Sequence, residues 1–284
     1  MRILITGAGG RLGSELARAL TSQQHAVTGV DMDTVDITDR EGVGAAFAAA
    51  SPELVVHCAA LTAVDFCADH PDEALRVNGY GTQIIAQACL RHGAALAYLS
   101  TNEVFDGQEC RPRLEYDPPR PANPYGYSKW VGEQAVRDLV SRHFIIRTSW
   151  LFAHGGRNFI HTVLQRAREG QPLRVVVNEV SSPTYANDLA AAIARLVVTG
   201  SYGIYHLANE GYASRWQFAR EALDQAGFGA VPIEPIALAE FARASRPPQY
   251  ALLRNTAAAR LGITLRPWQA ALSAFLEAEG LRAR

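Results

Sequence analysis

Residues 6–13 read Thr-Gly-Ala-Gly-Gly-Arg-Leu-Gly, directly after the apolar run 3–6 and at the start of a segment with helical periodicity, 11–22. A strand, a glycine turn and a helix in this order are typical of a dinucleotide-binding unit, in which backbone amides at the helix N-terminus bind a pyrophosphate. Gly7, Gly10 and Gly13 allow the tight turn, the approach of the phosphates and the packing of helix on strand. The stretch therefore predicts a dinucleotide site near the start of the chain.

The segments that follow this turn alternate between two patterns. Short apolar runs predict buried strands, and longer segments with helical periodicity separate them. We expect strands at 3–6, 26–30, 54–58, 96–100 and 144–147, and helices at 11–22, 72–91 and 125–142. This alternation predicts an α/β fold with a doubly wound parallel sheet of the Rossmann type.

The pattern loosens after about Thr148, where prolines such as the Pro247-Pro248 pair break the chain into shorter units. We predict a dinucleotide-binding Rossmann domain over 1–150, with contributions from about 158–200, because 158–170 and 184–198 still have the pattern of helices. The rest of 151–284 is expected to form a smaller C-terminal substrate-binding lobe.

The composition excludes several classes of protein. A net charge of -1 provides no basic surface for nucleic acid, so we expect no nucleic-acid partner. No run approaches eighteen apolar residues, so we expect no membrane segment. The four cysteines form neither a CxxC pair nor a zinc-binding pattern, so we predict no disulfide and no metal site. A reducing, cytoplasmic location is expected.

The end of the second predicted strand carries a carboxylate, Asp31. A carboxylate at this place binds the hydroxyls of an adenosine ribose. Asp33 adds a negative charge that would repel a 2'-phosphate, whereas Arg11 in the glycine turn would attract one. The residues leave both NAD(H) and NADP(H) open and favour NAD(H).

Only one lysine occurs in the chain, Lys129, and it follows Tyr125 by four residues. On a helix this spacing puts both side chains on one face. An ammonium beside a phenol stabilises the phenolate, so we expect the pKa of Tyr125 to fall below its usual value of about 10 and to suit acid–base chemistry. The alternative is a solvated helix face without a chemical role.

The sequence Tyr125-Gly126-Tyr127-Ser128-Lys129, behind the glycine turn and with Leu99-Ser100-Thr101 ending an intervening strand, resembles the extended short-chain dehydrogenase/reductase family. The resemblance implies that Thr101 holds a substrate carbonyl or hydroxyl and that Tyr125 exchanges its proton. It also implies that Lys129 tunes Tyr125 and binds the nicotinamide ribose.

More narrowly, the chain resembles the dTDP-4-dehydrorhamnose reductases nearly end to end. Stretches that carry this likeness include Ala59-Ala60-Leu61-Thr62-Ala63-Val64-Asp65, Val104-Phe105-Asp106-Gly107, Arg147-Thr148-Ser149-Trp150, Gly203-Ile204-Tyr205-His206 and Arg246-Pro247. The resemblance implies reduction of the 4-keto group of a dTDP-4-keto-6-deoxyhexose, and a lobe that binds the sugar nucleotide.

The turn and the resemblance together predict the site residues. The cofactor set comprises Gly7, Gly10, Arg11, Leu12, Gly13, Asp31, Asp36, Ile37, Ala59, Ala60, Thr62, Asn78, Tyr125 and Lys129. The substrate set comprises Val64, Asn102, Glu103, Trp150, Asn158 and Arg246.

The chain departs from this family after the predicted catalytic threonine. The family usually continues Asp-Tyr there, whereas this chain has Asn102-Glu103, and sugar-nucleotide dehydratases carry Asp-Glu at those positions. A dehydratase or epimerase therefore stays an alternative, although Asn102 lacks the proton that the acid of such a pair donates. A noncatalytic regulatory subunit on the same fold is another alternative.

Some reductase relatives bind Mg²⁺ through glutamates at a dimer contact. Glu15 matches one such position, whereas Asn187-Asp188 does not clearly match the second. The sequence therefore gives little support for a magnesium requirement, and it leaves a homodimer open.

Overall fold

A computed structural model describes residues 1–283, and a six-stranded parallel sheet lies at its centre. The strands in chain order are β1 (Arg2–Thr6), β2 (Ala26–Val30), β3 (Leu54–His57), β4 (Ala95–Thr101), β5 (His143–Thr148), β6 (Leu151–Phe152), β7 (Leu173–Val176), β8 (Val180–Ser181), β9 (Thr184–Tyr185), β10 (Gly203–His206), β11 (Ala213–Ser214) and β12 (Ile233–Ile236). The central sheet has the spatial order β10-β5-β4-β3-β1-β2, and three two-stranded sheets pair β11 with β8, β12 with β7 and β6 with β9.

Helices connect these strands. In chain order they are α1 (Arg11–Ser22), α2 (Arg40–Ala50), α3 (Val64–Asp69), α4 (Pro71–Ala74), α5 (Thr82–His92), α6 (Pro124–Leu139), α7 (Phe159–Arg168), α8 (Ala186–Leu196), α9 (Arg215–Gln225), α10 (Thr256–Arg260) and α11 (Trp268–Ala278). A π-helical turn, Leu75–Gly81, joins α4 to α5, and 3-10 turns occupy Asn102–Val104 and Leu238–Glu240. The prediction of an α/β, doubly wound parallel sheet is confirmed.

The inner strands of the central sheet are buried on both faces, which explains their apolar character, whereas the edge strand β2 has no buried residue. All the residues of β3 and β4 are buried, and Leu12, Leu16 and Leu20 of α1 pack against the same core. Helix α1 lies close to the turn that precedes it, because a Cβ at Gly13 would come within 2.1 Å of the Gly7 carbonyl oxygen. Glycine at 13 is therefore a packing requirement.

Some elements differ from the sequence prediction. Helix α2 was not predicted, because its alanine- and glycine-rich sequence buries only Val43 and Phe47. The single helix predicted over 72–91 is divided by the π-helical turn. The sixth strand of the sheet, β10, comes from beyond residue 200 and pairs with β5 in parallel.

A second cluster of buried apolar side chains lies in the C-terminal part of the chain. Phe152, Phe218, Trp268 and Phe275 are among its members, and helices α7, α9 and α11 contribute to it. Helix α8, by contrast, packs on α1 beneath the sheet. The division of the chain near residue 150 stays a prediction.

Among residues 1–283, no helix is long and apolar enough to span a bilayer.

Candidate active site

The strand order reverses beside β1, and a cleft of about 820 Å³ opens there at the carboxyl ends of the strands. Such a reversal is where open α/β sheets bind their ligands. The glycine turn after β1 forms one wall, and Ala59 and Ala60, which follow β3, also line the cleft. Gly10 provides no side-chain cap for α1, so the first amides of that helix are left for an anion. This geometry fits the pyrophosphate of a dinucleotide.

Asp31 lies at the end of β2, beside the glycine turn. Its Oδ2 accepts a hydrogen bond from the Gly9 amide at 2.8 Å, and its Oδ1 accepts one from the Met32 amide at 2.8 Å. Asp31 also lines the cleft. The carboxylate is thus held where the predicted adenosine ribose would lie.

The same cleft is also lined by the three predicted catalytic residues, Thr101, Tyr125 and Lys129. Thr101 ends β4, and α6 begins one residue before Tyr125 because Asn123 caps it by accepting a hydrogen bond from the Gly126 amide at 2.8 Å. A Cβ at Gly126 would come within 2.1 Å of the Glu103 carbonyl oxygen, so glycine is needed for the first turn of α6 to lie against the residues that follow β4.

Electrostatics at Tyr125 differ from the sequence expectation. Burial, and then the nearby Glu103 carboxylate, raise the pKa of Tyr125 above its usual value, although a hydrogen bond with Thr101 opposes them. The expectation of a lowered tyrosine pKa is therefore wrong for this structure, because burial and the Glu103 carboxylate both raise it. The phenol stays protonated near neutral pH.

Lys129 is nearly inaccessible, with 3% of its surface exposed. Burial lowers the pKa of Lys129 to about 7, and the Cys58 and Glu133 side chains oppose this shift. The ammonium lies 4.3 Å from the centroid of the Tyr98 ring. The expected alternative of a solvated helix face is thus excluded for Lys129.

A buried ion pair fixes α6 on the sheet. Arg147 of β5 donates from Nε and Nη2 to the two carboxylate oxygens of Glu133 on α6, at 2.9 and 2.7 Å. Ser100 of β4 donates to the same carboxylate at 2.5 Å. Both charged side chains are about 2% exposed. The helix that carries Tyr125 and Lys129 is thereby joined to two strands.

Asn78, in the π-helical turn, joins two walls of the site. Its side chain accepts from the Leu61 amide at 2.8 Å and donates to the Leu61 carbonyl at 2.9 Å and to Ser128 Oγ at 3.0 Å. The loop after β3 and helix α6 are therefore held by one amide group.

The two residues that depart from the family's usual pattern both line the cleft. The Asn102 amide nitrogen donates to Ser181 Oγ at 3.0 Å and to the Ala251 carbonyl at 3.2 Å, so it is held by the C-terminal part of the chain. Glu103 accepts from Asn123 Nδ2 at 2.6 Å. Burial raises the pKa of Glu103, and the Asn123 hydrogen bond opposes that shift.

Comparison with known proteins identifies the family. The model of the family described as "RmlD substrate binding domain" matches residues 1–280. The chain belongs to this RmlD family.

Relatives of this RmlD-family chain match it over nearly its full length. It is 37% identical over 279 residues to a dTDP-4-dehydrorhamnose reductase of Streptomyces griseus, covering 96% of this chain and 92% of that protein. It is also 37% identical over 276 residues to the spore coat polysaccharide biosynthesis protein SpsK of Bacillus subtilis, covering 97% of each. The resemblance to the dTDP-4-dehydrorhamnose reductases is confirmed.

Solved structures of other proteins superpose closely on this chain. A dTDP-4-dehydrorhamnose reductase of Bacillus anthracis in complex with NADP superposes with a TM-score of 0.93 at 34% identity, over 98% of this chain and 99% of that one. A UDP-glucose 4-epimerase of Thermus thermophilus in complex with NAD has a TM-score of 0.84 at 21% identity, over 98% of each chain, and shows the shared fold only.

Most of the predicted site residues line the cleft of this RmlD-family protein. They are Gly7, Gly10, Arg11, Leu12, Gly13, Asp31, Ile37, Ala59, Ala60, Thr62, Val64, Thr101, Asn102, Glu103, Tyr125, Lys129 and Trp150. Trp150 has a φ of +39°, an unusual conformation for a bulky residue.

The remaining predicted site residues, Asp36, Asn78, Asn158 and Arg246, are not among the side chains that line the cleft. Asp36 accepts hydrogen bonds within its own turn from Thr38. Asn158 caps α7 by accepting from the His161 amide at 3.2 Å. Arg246 is exposed, and its carbonyl accepts from Asn123. Their roles toward ligands stay predictions.

The sequence analysis missed Arg215, which lines the cleft from the start of α9. Its guanidinium carbon lies 3.6 Å from the centroid of the Trp150 ring. No motif marks this residue, because its place in the site depends on a contact between residues far apart in the chain.

The described residues 1–283 contain no group of three or more His, Cys, Asp or Glu side chains arranged to hold a metal ion. Glu15 pairs with Arg18, and Asp188 pairs with Arg266 at 2.8 Å.

Proposed function

We propose that this protein reduces the 4-keto group of a dTDP-4-keto-6-deoxyhexose with a reduced nicotinamide cofactor, and that its reaction converts dTDP-4-dehydro-L-rhamnose to dTDP-L-rhamnose. One observation carries the proposal. A single cleft is lined both by the glycine turn at the start of α1 and by Thr101, Tyr125 and Lys129. The reductases among the relatives support the choice of substrate.

The residues around the glycine turn fit a dinucleotide. The uncapped start of α1 would bind the pyrophosphate, Asp31 would accept from a ribose, and Lys129 would bind the second ribose. The nicotinamide supplies a hydride when it is bound. We favour NAD(H), because the Asp31 carboxylate repels a 2'-phosphate, although the relative from Bacillus anthracis was solved with NADP.

The protein's own groups supply the proton and its position. Reduction of a ketone makes an alkoxide that must be protonated, and Tyr125, whose pKa is raised by burial, holds its proton at neutral pH. The Thr101 hydroxyl donates to Asn102 Oδ1 at 3.2 Å and accepts from the Glu103 amide at 3.2 Å, which fixes its position beside Tyr125. A protonated phenol suits reduction better than oxidation, since oxidation needs a base.

The alternative activities receive less support from the site. A dehydratase needs a carboxylic acid at position 102, whereas Asn102 carries an amide that is already bound to Ser181 and Ala251. A regulatory subunit would not need Thr101, Tyr125 and Lys129 together in one cleft.

We also propose a cytoplasmic location and a homodimer. Cell fractionation tests the location, and light scattering tests the oligomeric state.

The test is to incubate the purified protein with dTDP-4-dehydro-L-rhamnose and either NADH or NADPH, and to identify the product by NMR. We expect dTDP-L-rhamnose and one equivalent of oxidised cofactor. A protein that consumes neither cofactor, or that converts the sugar without consuming cofactor, would contradict the proposal.

A further inference from the structure

Arg215 is the cation on the lobe side of the cleft. The side chains that line the cleft in residues 1–283 include three cations, Arg11, Lys129 and Arg215. Arg11 belongs to the glycine turn, where its Nη2 donates to the Arg157 carbonyl at 2.7 Å, and Lys129 is buried against the Tyr98 ring. A sugar nucleotide brings a diphosphate of its own, besides that of the cofactor, and this anion also needs a cation.

Two strands set the position of Arg215. Strand β8 pairs antiparallel with β11, with Ser214 opposite Val180, so the residues that flank this pair also meet. The Arg215 amide donates to the Glu179 carbonyl at 3.1 Å, and the Arg215 Nε donates to the Glu179 carboxylate at 3.2 Å. Glu179 is buried, with 5% of its surface exposed. Glu179 therefore orients the guanidinium through its Nε, and within residues 1–283 the two terminal nitrogens stay free for another partner.

An aromatic platform holds the flat face of the guanidinium. Its carbon lies 3.6 Å from the centroid of the Trp150 ring and 5.5 Å from that of Phe159. The side chain is 25% exposed, and its hydrogen bond to Glu179 uses Nε. Its terminal nitrogens have no hydrogen-bond partner among residues 1–283. A guanidinium fixed in this way presents two parallel donors, which is the geometry that binds phosphate in a bidentate manner.

We propose that Arg215 binds the diphosphate of the nucleotide-sugar substrate, and that Glu179 is the residue that positions it. This assignment rests on the proposed function, because it presumes a nucleotide sugar in the cleft. It separates two anion sites along one cleft, with the α1 amides and Arg11 for the cofactor and Arg215 for the substrate. The assignment implies that the affinity of the protein for a substrate nucleotide depends on the phosphates of that nucleotide.

The test compares dTDP with thymidine, which lacks the phosphates, by calorimetric titration of the cofactor-loaded protein. Arg215→Met keeps most of the apolar length of the side chain and removes the charge. We expect it to weaken dTDP binding by about 10- to 100-fold, the range of a charge-assisted hydrogen bond, and to leave thymidine binding unchanged. Arg215→Lys keeps a point charge without the fork and should lose less.

A control removes another arginine of the lobe. Arg174 pairs with Glu234 on the surface at 3.2 Å and does not line the cleft, so Arg174→Met should leave both affinities unchanged. Equal loss of dTDP and thymidine affinity in Arg215→Met would mean that the arginine only supports Trp150, and it would overturn the assignment. Unchanged dTDP affinity would overturn it too.

The same titrations separate this inference from the function on which it rests. A wild-type protein that binds cofactor but neither dTDP nor a dTDP-sugar would overturn the proposed function and the assignment with it. A wild type that binds dTDP, with an Arg215→Met variant that binds it equally well, would overturn the assignment alone. The thermal melt and the cofactor affinity show whether Arg215→Met folds. If it does not, the same titrations are made with Arg215→Lys, and an unchanged dTDP affinity in that variant would contradict the assignment.

Discussion

The Lys129 ammonium lies 4.3 Å from the centroid of the Tyr98 ring, and the Tyr98 hydroxyl donates to the Lys129 carbonyl at 3.2 Å. One buried aromatic residue thus contacts both ends of the lysine. A cation over an aromatic face is stabilised by the ring quadrupole. This contact does not offset the free-energy cost of burying the ammonium, since the pKa of Lys129 is still lowered to about 7. Keeping the Lys129 ammonium buried therefore lowers the free energy of unfolding.

We predict that Lys129→Met abolishes reduction and raises the free energy of unfolding. The folded-state pKa of Lys129 lies below the ordinary lysine value of 10.5, so the unfolded chain binds more protons between about pH 7 and 10.5. The increase in the free energy of unfolding caused by Lys129→Met should be on the order of a few kcal/mol below pH 7. It should vanish as the pH rises toward 10.5. Denaturant titrations at pH 6 and pH 10 measure it.

The control is Arg137→Met, which removes a cation from the exposed face of the same helix and should change neither activity nor stability appreciably. A Lys129→Met protein less stable than the wild type at pH 6 would show that the lysine's contacts outweigh the cost of its burial.

Tyr125→Phe should reduce turnover by about 10²- to 10⁴-fold, the usual contribution of a positioned general acid. The substitution removes only a hydroxyl, whose hydrogen bond is with Thr101, so the melting temperature should change little. Tyr127→Phe is the matched control, because Tyr127 is 47% exposed and does not line the cleft. Steady-state kinetics and a thermal melt of each variant provide the test, and a Tyr125→Phe enzyme with wild-type turnover would refute the mechanism.

Asp31→Ala should weaken the use of NADH about tenfold or more, by loss of a charge-assisted hydrogen bond to the ribose. The use of NADPH should suffer less, because the same substitution removes the repulsion of its 2'-phosphate. Asp138→Ala removes a carboxylate from an exposed position of α6 that does not line the cleft, and it serves as the control. The KM values for both cofactors decide, and equal losses with NADH and NADPH would argue against a ribose-binding role.

Glu103→Gln should alter the KM for the sugar nucleotide and leave hydride transfer intact. Glutamine keeps a carbonyl oxygen that accepts from Asn123, so the start of α6 stays in place. In the wild type, burial raises the pKa of Glu103, so the KM should change with pH as this carboxyl ionises above its ordinary range. The Gln variant should lack that dependence. Loss of all turnover in Glu103→Gln, together with release of water by the wild type, would point to a dehydratase.

Much of the fold follows from local sequence signals. The glycine turn, the apolar strands and the boundaries of α1 are all contained in short segments, so periodicity identifies them. Helix α2 also carries a local signal, because Asp39 caps it by accepting from the Glu41 and Gly42 amides. Strand β10 has no such signal, because four residues become a strand only by pairing with β5.

The candidate site was predictable where a motif spaces its residues along one helix or turn. It was not predictable where the chemistry depends on residues brought together by the fold. The raised pKa of Tyr125 depends on burial and on Glu103, and the pairing of Arg215 with Glu179 depends on two short strands more than thirty residues apart. Sequence spacing contains no measure of burial, so the direction of the tyrosine shift was predicted wrongly.

The ion pair between Glu133 and Arg147 sets the rotation of helix α6 about its own axis. An apolar contact tolerates small rotations, whereas two parallel hydrogen bonds to one carboxylate accept a narrow range of angles. A slip of one residue would turn the helix by about 100° and leave two charges buried without partners, at a cost of about 3–5 kcal/mol. Arrangements in which Tyr125 and Lys129 are misaligned are therefore less stable, so the ion pair favours the correct assembly of the proposed active site.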